Sequence, residues 1–148
     1  MKSATELRLP AVRLSVPEYD WECRGFLVNE GPACLQHGGN LFVTYSGSAT
    51  DERYAMGLLT LKAGSDPLNP SAWEKSPVPV MVTEEKNSLY GPGHNSFTTD
   101  EAGNDILVFH ARPYPGFRGD ARSDPNRYCY LRKVRYDAAG TPVFQDAG

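Results

Sequence analysis

The feature that most constrains the fold is an internal repeat marked by two Gly-Pro pairs. The pairs Gly31-Pro32 and Gly91-Pro92 stand 60 positions apart in a chain of 148 residues. Each pair is followed by the same series of segments: a strand, a hairpin turn with Gly and Asn, a second strand, a long polar loop and further strand segments. A fixed period of this length is typical of repeat architectures, in which each repeat is one supersecondary unit.

Each repeat predicts four antiparallel strands. They are predicted at residues 33–37, 41–46, 54–61 and 73–81, and again at 94–98, 105–111, 127–136 and from 141 onwards. One helical turn is predicted at 67–73, and no longer segment shows a helical period. Four antiparallel strands form one blade of a β-propeller, and a blade cannot bury both faces alone. The sequence therefore predicts an all-β chain of about two four-stranded β-propeller blades.

The predicted blades cover residues 30–90 and 91–148, and residues 1–29 supply an outer strand and the connection from a preceding blade. Within that leading part, residues 7–15 alternate apolar and polar side chains around Pro10, which confines the segment to a sheet edge or a strand end. Natural propellers have roughly four to eight blades, so two cannot close a ring. Either several chains assemble or the chain is part of a longer protein. We favour the second, because unpaired blade faces promote association.

Composition supports this fold class and excludes others. The chain holds 14 Gly, 12 Pro and 8 Tyr, which indicates many turns and aromatic strands. A net charge of -3 without a basic block argues against a nucleic-acid partner, and no apolar run approaches the ~18 residues that span a bilayer. Residues 1–10 lack the apolar core of a secretory signal, which leaves a cytoplasmic protein or a segment of a longer one. Three cysteines without CxxC spacing predict buried free thiols.

Two residues beside the Gly-Pro pairs are the candidates for chemistry. Glu30 lies between the apolar run 26–28 and Gly31-Pro32, which predicts a carboxylate beside a turn. His94 follows the second pair. Taken alone, a loop glutamate is more often part of a surface ion pair, and a lone histidine is more often a hydrogen-bonded core residue. One histidine cannot hold a metal by itself, although water could complete a calcium shell.

The other polar and aromatic candidates are weaker. Asp20 and Asp51 are the best in-chain candidates for a second catalytic carboxylate, but both lie in loops that look solvated. His37 and His110 occupy strand positions, where a structural role is favoured. Four aromatic residues could stack on a sugar, and we expect them to fill gaps between blades instead; they are Trp21, Tyr45, Trp73 and Tyr90.

Several motifs, in this order and spacing, resemble glycoside hydrolase family 43, most closely its α-L-arabinofuranosidase-like members. They are Ser15-Val16-Pro17-Glu18-Tyr19-Asp20-Trp21-Glu22, Leu27-Val28-Asn29-Glu30-Gly31-Pro32, Leu41-Phe42-Val43-Thr44-Tyr45-Ser46, Tyr54-Ala55-Met56-Gly57-Leu58 and Tyr90-Gly91-Pro92-Gly93-His94-Asn95-Ser96-Phe97. The resemblance runs from about residue 7 to the end. It implies a five-bladed β-propeller that cleaves arabinosides and xylosides with inversion.

The resemblance also implies roles for three residues. Glu30 matches the general acid in its Glu-Gly-Pro setting. His94 matches a histidine near the propeller axis, which in many members contacts a central metal ion or its water shell, so a calcium ion and a substrate contact are implied there. Arg112 matches a substrate-contacting arginine of the last blade.

The chain departs from the family pattern at its beginning. The general base Asp and the Asp that tunes the acid both lie upstream of the Glu-Gly-Pro motif in the family, so this chain resembles the C-terminal half of the catalytic domain. We therefore expect a hydrolase of arabinose- or xylose-containing glycans that needs the missing half or self-association. The alternative is a non-catalytic carbohydrate-binding or oligomer-forming half-propeller.

Overall fold

The chain folds into antiparallel sheets joined by loops and short 3₁₀ turns. The computed structural model describes residues 3–6, 9–117 and 119–145. The first sheet runs in the order β1-β2-β3-β4 and consists of β1 (Asn29–His37), β2 (Asn40–Gly47), β3 (Ala55–Leu61) and β4 (Trp73–Lys75). The second runs in the order β5-β6-β7 and consists of β5 (Tyr90–Thr99), β6 (Asp105–Arg112) and β7 (Tyr128–Lys133). A two-stranded ribbon pairs β8 (Arg135–Tyr136) with β9 (Pro142–Val143).

The all-β prediction is confirmed, and the first sheet has the four antiparallel strands predicted for one blade, whereas the second sheet has three. The predicted strand 127–136 divides at Val134, whose N–H donates to Asp105 O at 2.8 Å, so β8 leaves the second sheet and pairs with β9. The predicted leading strand is wrong for residues 9–15, which form no strand, while residues 7 and 8 lie outside the described part. A strand requires a partner for its backbone groups, and no described strand pairs with this segment.

The helical content of the described chain is limited to four 3₁₀ turns, at Asp20–Glu22, Pro70–Ala72, Glu85–Asn87 and Ala121–Ser123. The turn at Pro70–Ala72 confirms the helical turn predicted at 67–73; the Asn69 side chain caps it by accepting from Ser71 N at 3.1 Å. Among the described residues, no helix has the length or apolar character to cross a membrane.

The two Gly-Pro pairs do not form turns, and this corrects the prediction from sequence. Gly31-Pro32 lies inside β1, where the register with β2 shifts between Glu30 and Ala33. Gly91-Pro92 lies inside β5, where the register with β6 shifts in the same way. A bulge admits an extra residue into one strand and re-aims its neighbours. The repeat therefore marks two equivalent bulges at the starts of the two first strands.

The main core fills the space between the two sheets. It consists of Leu35, Phe42, Met56, Leu58, Met81, Leu89, Leu107, Phe109, Ala111, Val134 and Phe144. Strand alternation explains its membership, because Leu35 and Phe42 face each other across β1 and β2, while Leu107, Phe109 and Ala111 occupy every second position of β6. This packing holds the starts of β1 and β5 beside each other.

A second cluster covers the other face of the first sheet. Trp21 stacks on Tyr45 with a centroid distance of 6.0 Å, and Trp73 packs against the same cluster. The segment 14–22 covers this face of the sheet. It packs on the sheet and does not form the edge strand that the sequence predicted. The three cysteines are free, as predicted, but the predicted burial is wrong, since Cys34 and Cys129 are exposed and Cys23 is half-buried.

Candidate active site

The strand register brings the candidate residues to one end of the first sheet. Glu30 pairs with Ser46 across β1 and β2, and Ser46 pairs with Met56 across β2 and β3. Tyr54 immediately precedes β3, so its side chain starts at the same end. The start of β5 packs beside β1 and adds His94. Four polar side chains from four strand ends therefore meet where the two sheets approach each other.

The carboxyl group of Glu30 is bound by a buried tyrosine. The Tyr54 hydroxyl donates to Glu30 Oε1 at 2.7 Å, and Tyr54 is only 1% exposed. Burial raises the pKa of Tyr54, and the bond to Glu30 raises it further. The hydroxyl therefore keeps its proton and acts as a donor at any ordinary pH. Within the described residues no hydrogen bond occupies Oε2 of Glu30.

His94 reaches the same hydroxyl from the second sheet. Its Nδ1 lies 3.5 Å from the Tyr54 oxygen, and its backbone N–H donates to Ser46 Oγ at 2.8 Å. Its φ of 44° is in the left-handed region, which is uncommon for a residue with a side chain and indicates a bulge held by its surroundings. The structure thus brings the two residues predicted from sequence, Glu30 and His94, to one shared partner.

Three glycines leave the room that this arrangement needs. A Cβ on Gly93 would lie 2.3 Å from Tyr54 Cε1, and a Cβ on Gly31 would lie 3.0 Å from the His94 ring. Gly91 has a φ of 60°, and a Cβ there would lie 2.1 Å from the backbone oxygen of Asp51. Real Cβ atoms do not approach backbone oxygen so closely. The glycines beside the prolines therefore serve the packing of the site.

A second histidine supports the tyrosine ring. His110 stacks on Tyr54 with centroids 5.6 Å apart and ring planes 7° apart. Burial lowers the pKa of His110 to about 4, and the positive charges of Arg127, His94 and Arg112 contribute. His110 is therefore neutral at neutral pH. His37, for which a structural role was also predicted, stacks on Tyr136 with ring centroids 3.4 Å apart.

Arg112 is buried in a structural network. Its three guanidinium nitrogens donate to Thr50 O at 2.6 Å, to Ala121 O at 2.5 Å and to Asp124 Oδ2 at 3.1 Å, and the residue is 2% exposed. These bonds tie the loop after β6 to the loop before β3. A direct sugar contact would have to reach a side chain that is almost fully buried, so substrate binding by Arg112 stays a prediction.

The in-chain candidates for a second carboxylate are engaged elsewhere or exposed. Asp51 forms an ion pair with Arg53, and although burial would raise its pKa, the bonds to Arg53 lower it. Asp20 is exposed on the 3₁₀ turn at Asp20–Glu22. Glu22 is fully buried and pairs with Lys75 at 2.9 Å. None of these three carboxylates has a hydrogen bond to Glu30 in the described part of the chain.

A calcium ion does not fit the residues that this chain supplies. The described residues contain no group of three or more His, Cys, Asp and Glu side chains that could hold a metal ion. Calcium takes six to eight oxygen ligands, whereas the His94 side chain offers only nitrogen, and its Nδ1 faces Tyr54. The calcium ion inferred from resemblance therefore stays a prediction, and no step of the chemistry is routed through it.

Sequence reasoning missed Tyr54 and Ser46, although a signal for both was present. Tyr54 follows the polar loop 47–53 and opens a strand, and Ser46 closes the preceding strand. In an antiparallel meander the start of the first strand, the end of the second and the start of the third lie at one edge. That rule alone places Ser46 and Tyr54 at the end where Glu30 lies.

Comparison with known proteins identifies the family of this chain. The family model "Glycosyl hydrolases family 43" matches residues 2–142. The chain is 52% identical over 132 residues to an extracellular exo-alpha-(1->5)-L-arabinofuranosidase of Streptomyces avermitilis, covering 88% of this chain and 27% of that protein. It is 48% identical over 139 residues to alpha-L-arabinofuranosidase 43 of Humicola insolens, covering 93% of this chain and 29% of that protein.

The fold of this chain is similar to part of a solved arabinofuranosidase structure. The alpha-L-arabinofuranosidase from Lactobacillus brevis superposes with a TM-score of 0.94 at 46% identity, over 98% of this chain and 45% of that one. The chain therefore spans less than a third of the two curated relatives and less than half of the solved structure. Because the family model covers nearly all of the sequence, this chain belongs to glycosyl hydrolases family 43.

Proposed function

We propose that this chain supplies the general acid, Glu30, of a glycoside hydrolase that cleaves α-L-arabinofuranosides in arabinose-containing glycans with inversion of configuration. The observation that carries the proposal is the hydrogen bond from buried Tyr54 to Glu30 Oε1, which holds one carboxyl oxygen and leaves the other without a donor from the described residues. The relatives named as arabinofuranosidases support the choice of sugar over xylose.

The chemistry needs a second carboxylate that this chain does not place beside Glu30. Inverting hydrolysis uses an acid that protonates the leaving oxygen and a base that activates water, with the two carboxyl groups about 6.5–9.5 Å apart. Glu22 forms an ion pair with Lys75, and Asp51 forms an ion pair with Arg53. We therefore place the base outside the 148 residues, in the remainder of a propeller domain or in a partner chain. The relatives named extracellular support secretion of such a longer protein.

The experiment uses a hybrid enzyme alongside the chain itself. In the hybrid, this chain replaces the matching segment of the Lactobacillus brevis arabinofuranosidase, with which it shares 46% identity. We expect the hybrid to hydrolyse an aryl α-L-arabinofuranoside and the isolated chain to show no turnover. Proton NMR of the first-formed sugar should show the inverted anomer.

The Glu30→Gln variant tests the acid role directly. In the hybrid it should lower kcat on an unactivated arabinoside by about 100-fold or more, while a dinitrophenyl arabinoside, whose leaving group needs no proton, retains most of its rate. Turnover by the isolated chain that Glu30→Gln abolishes would contradict the missing base. An equal loss on both substrates would contradict the acid role.

A non-catalytic half-propeller that assembles with itself is the second candidate. The observation that favours it is exposed apolar surface, since Leu131 on β7 is 70% exposed and Phe26 and Leu27 are also exposed. A discrete oligomer by size-exclusion chromatography with light scattering, together with saturable binding of arabino-oligosaccharides, would support this function. Aggregation of the isolated chain would instead support a segment that requires the rest of its domain.

A further inference from the structure

We propose that Tyr54 is a positioning residue for the acid: its hydroxyl holds Glu30 Oε1 so that the transferable proton resides on Oε2. This inference rests on the proposed function of Glu30 and adds to it the group that orients the carboxyl. The motif comparison from sequence placed no functional role on Tyr54.

The first step of the argument is the direction of the hydrogen bond. Tyr54 O–H lies 2.7 Å from Glu30 Oε1, and both burial and this contact raise the pKa of Tyr54, so the phenol is the donor. A carboxyl oxygen that accepts a hydrogen bond from a phenol acts as the carbonyl oxygen of the neutral acid. The acid proton is then placed on Oε2, which has no donor among the described residues.

The second step is the rigidity of the tyrosine. Its ring is 1% exposed, stacks on His110 at 5.6 Å and fills the space above Gly93, where even a Cβ would lie 2.3 Å from Cε1. The facing groups are His94, whose Nδ1 is 3.5 Å from the hydroxyl oxygen, and His110 beneath the ring. A side chain with this packing has one rotamer available, so the hydroxyl position is set before substrate binds.

The third step is what the bond does during the reaction. The proton on Oε2 moves to the glycosidic oxygen as the bond from that oxygen to the anomeric carbon breaks, and the bonding electrons leave with the oxygen. Glu30 becomes a carboxylate, and the Tyr54 bond to Oε1 becomes charge-assisted and stronger. Tyr54 keeps its own proton throughout. The tyrosine therefore orients the acid before transfer and stabilises the carboxylate afterwards.

The first test needs no activity and uses the hybrid enzyme, which supplies the rest of the domain. In proton NMR, the hydroxyl proton of Tyr54 should appear as a slowly exchanging signal because it is buried and hydrogen-bonded. We expect the signal to vanish in Tyr54→Phe and to shift in Glu30→Ala, while Tyr45→Phe leaves it in place. Tyr45 is the matched control, since it is a buried tyrosine that stacks on Trp21 on the other face of the same sheet. The absence of a slowly exchanging Tyr54 hydroxyl signal would overturn the proposal. A signal whose chemical shift is the same in Glu30→Ala would also overturn it.

The kinetic test in the hybrid enzyme separates positioning from a structural effect. Tyr54→Phe should lower kcat on an unactivated arabinoside by about tenfold or more and leave the dinitrophenyl arabinoside within about twofold. A purely structural tyrosine would lower both rates together, and that result overturns the proposal. If Glu30→Gln shows the selective loss and Tyr54→Phe does not, only this proposal fails. If Glu30→Gln lacks it as well, the proposed function fails.

Discussion

Replacement of Glu22 by Gln should reduce the acid sensitivity of this chain's stability. Glu22 is fully buried and accepts hydrogen bonds from Glu18 N at 2.8 Å, from Tyr19 N at 2.9 Å and from Lys75 Nζ. Burial alone would raise the pKa of Glu22, but the Glu18 backbone, the Lys75 ammonium and the Tyr19 backbone together lower it from 4.5 to about 2. The ionised form is thus strongly favoured in the folded state.

The magnitude follows from the difference between those two values. Each pKa unit is worth about 1.36 kcal/mol, so the ionised Glu22 contributes about 3 kcal/mol to the free energy of unfolding at neutral pH. The folded pKa lies below the unfolded one, so this contribution is present above 4.5 and is lost as the pH falls toward about 2. Glu22 also accepts from Asn29 Nδ2 at 2.9 Å, which ties the network to the residue before Glu30.

Urea unfolding of the wild type and of Glu22→Gln at about pH 7 and about pH 3 measures this contribution. We expect the variant to be about 3 kcal/mol less stable at the higher pH and to lose less stability on acidification. Glu18→Gln is the matched control: Glu18 contacts the same Lys75 at 3.2 Å, but its side chain is 52% exposed, so the change should be under about 1 kcal/mol. Equal pH dependence in the wild type and Glu22→Gln would refute the reasoning.

Two further variants test other contacts of the site. Arg112→Met leaves the carbonyl oxygens of the half-buried Thr50 and Ala121 without their donor and should cost about 2 kcal/mol in urea unfolding; a raised KM in the hybrid enzyme with unchanged stability would instead favour a sugar contact. Gly91→Ala places a Cβ 2.1 Å from Asp51 O and should lower the melting temperature markedly, whereas Gly103→Ala, which has a similar positive φ but open space, serves as control. Equal effects of the two alanines would contradict the steric argument.

The strands could be predicted because their signals are local. Alternation of side chains has a period of two, and a Gly-Asn hairpin limits where strands end, so β2, β3 and β6 fall within two residues of their predicted positions. The prediction of turns at the Gly-Pro pairs was wrong because the relevant signal is not local. A bulge exists only relative to a partner strand, and the same Gly-Pro letters fit a turn or a bulge.

The residues of the candidate site also differ in whether local sequence could predict them. Motif comparison identified Glu30 and His94, because their neighbours in sequence carry the signal. It did not identify Tyr54, which lies 24 residues from Glu30 and meets it only through strand pairing. It assigned Arg112 to substrate, whereas the fold surrounds Arg112 with backbone carbonyls and Asp124.

By itself, the sequence determined the all-β class, and it predicted two repeated units and the carboxylate Glu30 at the start of the first one. Those properties depend on short-range patterns that any folded form of this chain must satisfy. Tertiary structure alone decided which hydroxyl holds the Glu30 carboxyl group, that the buried Glu22 pairs with Lys75, and that the N-terminal segment covers a sheet without joining it. Each of these depends on groups far apart in the chain, whose energies appear only when packing excludes water from between them.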